Sequence, residues 1–556
     1  MPPESQHEFE HNRESARGAE TAPDHGFGAR YEREFQEQSA PLYESELTWL
    51  STRELAARIA SGQVSAREAL SDQLARIDAV NPALNAIVTR DDEQAFARAD
   101  AADAALARGE SFGPLHGVPM THKESTDTAG WRTTRGSQIL ADNVPTRNAL
   151  IIERLHNAGV VMSGKSNVPE FTAGSHTFNP LFGTTVNPYD TSKSAAGSSG
   201  GAAAAIAAGI QGSGDGSDMG GSLRTPGSFN NIVGFRATNG RIPHALPSNP
   251  WQWLAQPGFM ARTVSDIALL MAATSGPAKG APLSIQEPGS VFDRAEFGRA
   301  EFGRAEFERA GLERTGFERG GFEQAGRDRA QFAEPSAHEP GSALAGLRIG
   351  FSVDLDGLCP VEPAVRNVVE AASAVLSGAG AHVDSVVPDL RDADEVFSVF
   401  RALEFVSDYG DYVRSDRERV KDTVIWNTEL GWSLTPDDIV SAERARVRLL
   451  AAVEAYFEHH DLLVLTTSQA APFDATMDYP REIDGTSFDT YLDWMRASTL
   501  ISATGCPAIS VPAGFTADGL PVGIQFVAAP GRDVELLLAA QGYEELTKHY
   551  ERRPRM

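Results

Sequence analysis

Residues 197–224 read GSSGGAAAAIAAGIQGSGDGSDMGGSLR, two serine-glycine clusters separated by an alanine-rich stretch. The clusters occupy 197–201 and 216–224, and the stretch between them, 202–210, predicts a short helix. Glycines beside a serine let backbone N–H groups approach a substrate oxygen closely, because no Cβ blocks them. A developing oxyanion needs such donors. One isolated cluster indicates only a flexible surface turn. Two clusters around a helix weaken that interpretation but do not by themselves decide for a functional site.

These clusters lie in a longer segment, residues 113–265, that is rich in glycine, serine, threonine and proline but keeps short apolar runs. This composition is typical of loops gathered over a sheet, where binding and catalytic residues are often found. Ahead of it, Ser51 with Glu54 and Ser65 with Glu68 have capping-box spacing. The two boxes predict the starts of two helices.

Strand patterns continue toward the carboxyl end of the chain. Residues 347–353 and 462–465 predict strands, and two further strands flank a hairpin turn at Asp518-Gly519. A closing helix is predicted at about 534–546. Strands that alternate with helices in this way predict an α/β sheet covered on both faces.

Two segments depart from this pattern, and they divide the chain. Residues 1–45 show no sustained apolar period, which predicts a disordered N-terminal extension. Residues 277–342 form a low-complexity insertion, which separates an N-terminal core part, 46–276, from a C-terminal part, 343–556, that carries the substrate-pocket loops.

The insertion has a five-residue repeat. Phenylalanine recurs at 292, 297, 302, 307, 317 and 322, with arginine at 294, 299, 304, 309, 314 and 319. A five-residue step rotates by roughly 140° on a helix and changes faces on a strand, so neither state gathers the rings into one stripe. We interpret the repeat as disordered or loosely helical, and a partner-docking repeat is the alternative.

Composition excludes several classes of function. The 76 acidic residues outnumber the 49 basic ones for a net charge of −27, which disfavours binding to nucleic acid and to anionic membranes. Cys359 and Cys506 are the only cysteines and stand far apart, so neither a disulfide framework nor a thiolate metal cluster is supported. No apolar run reaches the length of a membrane span. A cytoplasmic location is expected.

A serine hydroxyl becomes a good nucleophile only when a base takes its proton. The four histidines nearest to the clusters do not fit the pattern of a Ser-His-Asp site. Lysine is the alternative base, but it must be neutral and therefore needs a desolvated pocket that lowers its pKa from about 10.4. Lys123 and Lys165 both stand close to turn-rich sequence, and the residues alone leave the choice between them open. The histidines are His116, His122, His176 and His244.

The serine clusters, taken with two earlier segments, resemble the amidase signature family in order and spacing. The resemblance implies one α/β domain, a three-layer α/β/α sandwich around a large mixed β-sheet. It covers roughly Leu50 to Ser275 and again Leu347 to the end, leaving out the N-terminal extension and the repeat. The segments that carry it are 113–124, 164–171, 197–201 and 216–224, with 507–512 and 519–525 similar to the family's ending.

The resemblance also implies roles for the site residues. By the family's motifs, Lys123 is the base, Ser198 is the bridging serine, held by a cis peptide bond, and Ser222 is the nucleophile. The spacings of 75 residues from Lys123 to Ser198 and of 24 from Ser198 to Ser222 match the family's. The implied oxyanion donors are the backbone N–H groups of Met219, Gly220, Gly221 and Ser222, and Asp218 and Arg224 are expected to brace their loop.

Three positions depart from the family pattern. Glu124 follows the lysine where an aspartate is usual, His122 occupies a position that is commonly apolar, and Ala196 replaces a glycine. The three catalytic positions are intact, so these changes bear on substrate preference and rate, and a histidine beside the base could shift the base's pKa.

The expected activity is hydrolysis of a carboxylic acid amide to an acid plus ammonia or an amine, through an acyl-enzyme on Ser222. No metal or organic cofactor is expected, and the expected partner is a small-molecule amide, without nucleic acid or membrane. A homodimer is one alternative for the oligomeric state. Two other functions stay open: the amidase-like subunit of a glutamine-dependent tRNA amidotransferase, and a catalytically silent scaffold that acts through the repeat. Substrate choice is expected to come from loops between about Asp389 and Ser498.

Overall fold

The structure is a computed structural model that describes residues 45–245, 249–294, Phe297 and 340–556. The described residues belong to the unit Tyr43–Met556. The predictions for the N-terminal extension and for most of the five-residue repeat lie outside the described residues.

The helices and strands follow one another along the chain with these bounds. The helices are α1 (Thr52–Ala60), α2 (Ala66–Leu84), α3 (Asp92–Ala107), α4 (Leu150–Asn157), α5 (Gly200–Ala207), α6 (Arg224–Phe229), α7 (Val264–Thr274), α8 (Pro363–Gly378), α9 (Ala393–Asp416), α10 (Asp422–Ser433), α11 (Pro436–Phe457), α12 (Arg496–Thr504) and α13 (Asp533–Thr547). The strands are β1 (Ile87–Arg90), β2 (Pro119–Lys123), β3 (Val161–Ser166), β4 (Phe178–Asn179), β5 (Gly183–Thr184), β6 (Val186–Asn187), β7 (Asp190–Ser194), β8 (Ser213–Asp218), β9 (Val233–Arg236), β10 (Gln256–Ala261), β11 (Arg348–Phe351), β12 (His382–Asp384), β13 (Leu462–Thr466), β14 (Glu482–Ile483), β15 (Thr486–Ser487), β16 (Ala508–Phe515) and β17 (Pro521–Val527).

Eight strands form a mixed sheet in the order β12-β11-β13-β17-β16-β9-β10-β8. Strand β11 runs parallel to both β12 and β13, and the other neighbours are antiparallel. A smaller sheet, β1-β3-β2, places β2 parallel to β3. Strand β8, which leads into the second serine cluster, is therefore an edge strand of the large sheet.

Helices cover both faces of the large sheet, as the alternation of side chains along β13 shows. Leu462 and Val464 face a core with α7, α8 and α13, whereas Leu463 and Leu465 face a second core with α9, α11 and α12. Alternate residues of a strand point to opposite faces, so both sets are buried. The predicted three-layer α/β/α arrangement around a large mixed sheet is confirmed.

Local sequence signals account for several of these elements. Ser51 with Glu54 and Ser65 with Glu68 form complete capping boxes at the starts of α1 and α2. The predicted hairpin is the pair β16 and β17, and Gly519 at its turn has a φ of 83°. The helix expected at 202–210 begins earlier, at Gly200, because the first serine cluster supplies its first turn.

The start of the predicted insertion is packed into the core. Phe292 is fully buried and Phe297 is 1% exposed, and both join the core around α7. Ser265 Oγ donates a hydrogen bond to the carbonyl oxygen of Phe297 at 2.5 Å. The first two phenylalanines of the repeat therefore serve as core residues.

Within residues 45–245, 249–294 and 340–556, no helix is long and apolar enough to cross a bilayer. Nor do three His, Cys, Asp or Glu side chains in this part of the chain come together as a metal ion would require.

Candidate active site

Lys123 ends strand β2 with a fully buried side chain. Its ammonium Nζ donates hydrogen bonds to Ser198 Oγ at 3.0 Å, Ser199 Oγ at 2.8 Å and Ser217 Oγ at 3.0 Å. Burial lowers the pKa of Lys123 to about 7, although the negative charges of Asp215 and Asp218 oppose this shift. A lysine with this pKa is partly neutral near pH 7 and can accept a proton.

The first serine cluster leads from β7 into α5. The peptide bond between Gly197 and Ser198 is cis, and both Ser198 and Ser199 are buried against Lys123. A Cβ on Gly201 would lie 2.3 Å from the backbone nitrogen of Asn167, so this turn packs against the chain after β3 without room for a side chain. The cluster therefore brings Ser198 to the end of β2 through close backbone packing.

The second cluster begins at the end of β8, continues through a loop of residues 219–223 and ends at the first residue of α6. Asp218 accepts hydrogen bonds from the backbone N–H groups of Gly221 at 2.9 Å and Leu223 at 3.2 Å. Arg224 donates to the same carboxylate through Nε at 3.0 Å and Nη2 at 2.8 Å, and both side chains are fully buried. The carboxylate and guanidinium thus hold the loop from within.

Charge explains how Asp218 stays ionised. Burial alone would raise the pKa of its carboxyl group, but the charges and hydrogen bonds of Arg224, with the nearby charge of Arg236, hold that pKa well below its usual range. Arg224 also donates to Ser502 Oγ at 2.7 Å and Gln525 Oε1 at 2.6 Å, which ties the loop to α12 and β17.

The backbone donors of this loop are not equivalent. Gly221 N–H is already engaged by Asp218, so Gly221 supports the loop and is not a free donor. Its φ of +104°, with Ser498 Cβ 2.6 Å from where a side chain would begin, requires glycine. Met219, Gly220 and Ser222 have N–H groups that donate to no acceptor among the residues described here. Of the four predicted oxyanion donors, these three are the ones that the described residues leave unengaged.

Ser222 lies on this loop with 9% of its surface exposed. Its Oγ makes no hydrogen bond within the described part of the chain, so the link from Lys123 to Ser198 is formed and the link from Ser198 to Ser222 is not. Hydrogen bonds of catalytic groups are often long in unliganded enzymes and tighten when substrate binds.

Lys165 occupies a different environment. It is buried in β3 and donates to the carbonyl oxygen of Thr126 at 2.6 Å and to Thr128 Oγ1 at 2.9 Å. Burial lowers its pKa to about 8, against the opposing charge of Glu124. It contacts neither serine cluster, so the geometry separates it from Lys123.

His122 directly precedes Lys123 in β2. Its Nδ1 lies 2.7 Å from Asp215 Oδ1, and both side chains are buried. The other oxygen of Asp215 accepts from the backbone N–H of Lys123 at 3.3 Å. Burial would raise the pKa of Asp215, but the charge and hydrogen bond of His122 lower it overall.

The remaining histidines considered from sequence contact other groups. His116 Nε2 lies 3.0 Å from the carbonyl oxygen of Ala102, and His176 Nδ1 lies 2.6 Å from Ser194 Oγ. Burial lowers the pKa of His244 to about 4. Among the described residues, none of the four histidines hydrogen-bonds to Ser198 or Ser222.

Glu124, where the family pattern has an aspartate, reaches a neighbouring loop. It accepts hydrogen bonds from Thr134 Oγ1 at 2.8 Å and from the backbone N–H of Gly136 at 3.2 Å. Burial raises the pKa of its carboxyl group despite these bonds. The longer side chain thus anchors the loop that follows β2.

Sequence reasoning missed Ser217 and Asp215 as neighbours of the base. Both lie on β8 two residues apart, and strand periodicity places them on one face. The alternation of polar residues with glycine in Ser213-Gly-Asp-Gly-Ser217 was the sequence signal for a shared face. Only the approach of β2 to β8 in the structure shows that this face meets Lys123.

Comparison with known proteins finds a matching family model and relatives over most of this chain. The family model described as Amidase matches residues 68–296 and 324–537. The chain is 34% identical to an acylamidase from Rhodococcus erythropolis over 92% of this chain and 98% of that protein. It is also 34% identical to a subunit of the glutamyl-tRNA(Gln) amidotransferase of Moorella thermoacetica, over 92% and 99% of the two chains.

Solved structures agree at the level of the fold. A bacterial aryl acylamidase of the amidase signature family superposes with a TM-score of 0.77 at 24% identity, covering 91% of this chain and 99% of that one. A protein from a vestigial complex related to an s-triazine catabolic enzyme superposes with a TM-score of 0.73 at 28% identity, covering 90% and 99%. With the family model matching most of its length, this chain belongs to the amidase family of amide-hydrolysing enzymes.

Proposed function

We propose that this amidase hydrolyses carboxylic acid amides through an acyl-enzyme on Ser222, with Ser198 as the bridging serine and Lys123 as the base. The observation that carries the proposal is the fully buried Lys123 Nζ, 3.0 Å from Ser198 Oγ and with its pKa lowered to about 7. A surface lysine would be charged at neutral pH and could not take a proton.

In the first step, neutral Lys123 accepts the proton of Ser198 Oγ, which takes the proton of Ser222 Oγ. The Ser222 oxygen forms a bond to the amide carbonyl carbon, and the carbonyl oxygen becomes an oxyanion. The N–H groups of Met219, Gly220 and Ser222 are the donors available to this oxyanion.

In the second step, the C–N bond breaks and the nitrogen leaves with the proton returned from Lys123 through Ser198. This yields ammonia or an amine and an ester on Ser222. Water, deprotonated by the same relay, then attacks the ester carbonyl, and the carboxylic acid leaves as Ser222 regains its proton.

The test is amide hydrolysis by the purified full-length chain, followed as ammonia or amine release over a panel of aliphatic, aromatic and cyclic amides. We expect the Ser222→Ala variant to lose turnover. Ser163→Ala is the matched control, because Ser163 is buried on β3 and its Oγ makes no hydrogen bond within the described residues. Unchanged hydrolysis in Ser222→Ala would contradict the proposal.

A second candidate is supported by the amidotransferase relatives. On this alternative the chain would hydrolyse glutamine, and a partner complex with ATP would increase the rate. Glutaminase activity of the isolated chain, measured beside the amide panel, separates the two. Hydrolysis of simple amides at rates above that of glutamine supports the stand-alone amidase.

We also propose that the protein is cytoplasmic and forms a homodimer. Light scattering on the purified chain, with a sequence mass of 59.5 kDa, distinguishes a monomer from a dimer.

The scaffold alternative is tested by deleting residues 298–335, because an amidase should retain turnover without them.

A further inference from the structure

Arg401, on α9, lies in a buried position beside the loop of residues 219–223, which carries Ser222. Only 7% of its surface is exposed. Its Nε donates to Asn427 Oδ1 at 3.1 Å, its Nη2 donates to Tyr491 OH at 2.5 Å, and its Nη1 lies 2.7 Å from Met219 Sδ. Three separate segments of the chain therefore fix the position of this guanidinium.

The positive charge of Arg401 has no counter-ion in the described part of the chain. Its three hydrogen-bond partners are neutral, and its guanidinium also lies near aromatic rings, with the centroids of Phe405 at 4.4 Å and Tyr491 at 5.7 Å. Rings stabilise a guanidinium only in part. Buried arginines are normally paired with a carboxylate, because an uncompensated buried charge is costly.

Glu404, three residues further along α9, does not take this role. It accepts a hydrogen bond from Gln252 Nε2 at 2.6 Å, and among the described residues no ion pair joins its carboxyl group to Arg401. Burial raises the pKa of Glu404 to about 7, although the charge of Arg401 opposes this shift, so this carboxyl group is itself partly neutral. The charge of Arg401 thus stays open to an anion from outside the protein.

The position of Arg401 connects it to the candidate active site. Met219, which it contacts, precedes Gly220 in the loop that supplies the unengaged N–H donors. A Cβ on Gly220 would lie 3.1 Å from the ring of Phe397, one turn before Arg401 on α9. Helix α9 therefore packs directly on this loop, and Arg401 borders the residue beside the expected oxyanion.

Two N–H groups of the Arg401 guanidinium donate to no acceptor among the described residues. Of its five N–H groups, three are engaged by Asn427, Tyr491 and Met219. Each terminal nitrogen keeps one N–H without an acceptor among the described residues. Two N–H groups on one planar guanidinium match the two oxygens of a carboxylate.

We propose that Arg401 is a specificity-determining residue that binds a carboxylate of the substrate, so that the preferred amides carry a negative charge close to the scissile bond. This inference rests on the proposed amide hydrolysis and names its substrate class. The protein's net charge of −27 does not attract anions, so the preference has to come from this local cation. The carboxylate belongs either to the acyl part or to the amine part of the amide.

The alternative role of Arg401 is to hold Met219 in place for every substrate. The two roles differ in one measurable quantity, the ratio of kcat/KM for a charged amide to kcat/KM for a neutral amide of the same shape. A carboxylate-binding arginine changes this ratio, whereas a residue that only supports the loop lowers both rates by the same factor.

The experiment uses two matched pairs of amides with the purified full-length enzyme. Succinamate and 4-methylpentanamide test a carboxylate on the acyl part, and N-acetylglycine and N-isobutylacetamide test one on the amine part. We expect wild type to favour the charged member of at least one pair by about tenfold or more, since a hydrogen bond to a charged group contributes roughly that factor. The pair that shows the preference identifies the side that carries the carboxylate.

Three variants complete the test. Arg401→Met should reduce the ratio to about one, and Arg401→Lys should keep part of it because the charge remains. Arg414→Met is the matched control on the same helix, since Arg414 is 61% exposed and pairs with Asp411 at the surface, and it should leave the ratio unchanged.

The results that would overturn the carboxylate site differ from those that would overturn the proposed amide hydrolysis. Equal rates within both pairs for wild type would overturn the carboxylate site, and so would an equal loss for both members of a pair in Arg401→Met. If Arg401→Met does not fold, the wild-type ratios still decide. Hydrolysis of neutral amides without charge preference leaves the proposed function standing, whereas no hydrolysis of any amide removes both.

Discussion

Lys123 Nζ lies 3.0 Å from Ser198 Oγ, although the two residues are 75 positions apart in the chain. The contact joins the end of β2 to the turn before α5 and is closed off from solvent. It places a partly neutral lysine against a serine hydroxyl, which is the arrangement that a proton relay requires.

The pH dependence of hydrolysis should follow the titration of Lys123. The neutral amine is the base, and burial lowers its pKa to about 7, so kcat/KM should fall about tenfold per pH unit well below 7 and level off above it. A pH profile between 5 and 9 checks this. Lys123→Arg stays charged at every pH in this range and should be inactive throughout. A profile with no inflection near 7 would contradict the role of Lys123.

Asp215 should set the position of that inflection. Its negative charge raises the pKa of Lys123, so Asp215→Asn should move the acid limb of the profile to lower pH. The measurement is the same pH profile, with Glu395→Gln as a control for loss of a distant charge. A lower rate at unchanged apparent pKa would mean that Asp215 acts only through its hydrogen bonds to His122 and to the Lys123 backbone.

Ser198, Ser199 and Ser217 all contact Lys123, and the relay predicts that their alanine variants differ. Ser198→Ala interrupts proton transfer and should reduce kcat by about 10³-fold or more, by comparison with the loss of a general base. Ser199→Ala and Ser217→Ala each remove one hydrogen bond to Lys123, which is worth about 1 kcal/mol, or roughly fivefold, when the amine is neutral. A larger loss in Ser199→Ala than in Ser198→Ala would transfer the bridging role to Ser199.

The buried pair of Asp218 and Arg224 should matter for stability as well as for activity. Asp218→Asn leaves the guanidinium groups of Arg224 and Arg236 without their carboxylate, and removing one partner of a buried ion pair costs about 3–5 kcal/mol. Urea denaturation measures this loss. Glu429→Gln, which breaks an exposed pair with Arg417, should change the free energy of unfolding little. Similar values for the two variants would show that Asp218 does not hold the loop.

Much of the fold could be predicted from local signals. The capping boxes of Ser51 and Ser65, the hairpin turn at Gly519 and the alternation of apolar runs all act over a few residues, and each predicts the element that is found. The start of α5 at Gly200 was harder to predict, because glycine disfavours helix and only packing of the first cluster overrides this.

The candidate site could be predicted only in part from the sequence. The resemblance to the amidase signature family points to Lys123, Ser198 and Ser222, whereas the residues alone leave Lys123 and Lys165 open. The structure brings Lys123 and Ser198 into contact. The pairing of His122 with Asp215 joins residues 93 positions apart, and that of Arg401 with Met219 joins residues 182 apart. No local periodicity encodes such contacts, since they depend on which strand and which helix pack against the loop.

The most direct test of the account is the site of covalent modification by a serine-reactive acylating or sulfonylating agent such as phenylmethanesulfonyl fluoride. Peptide mapping by mass spectrometry after inactivation should find one adduct, on Ser222, and Lys123→Arg should slow its formation because the base is lost. An adduct on Ser198, Ser199 or Ser217, or inactivation without any adduct on Ser222, would contradict the assignment of Ser222 as the nucleophile.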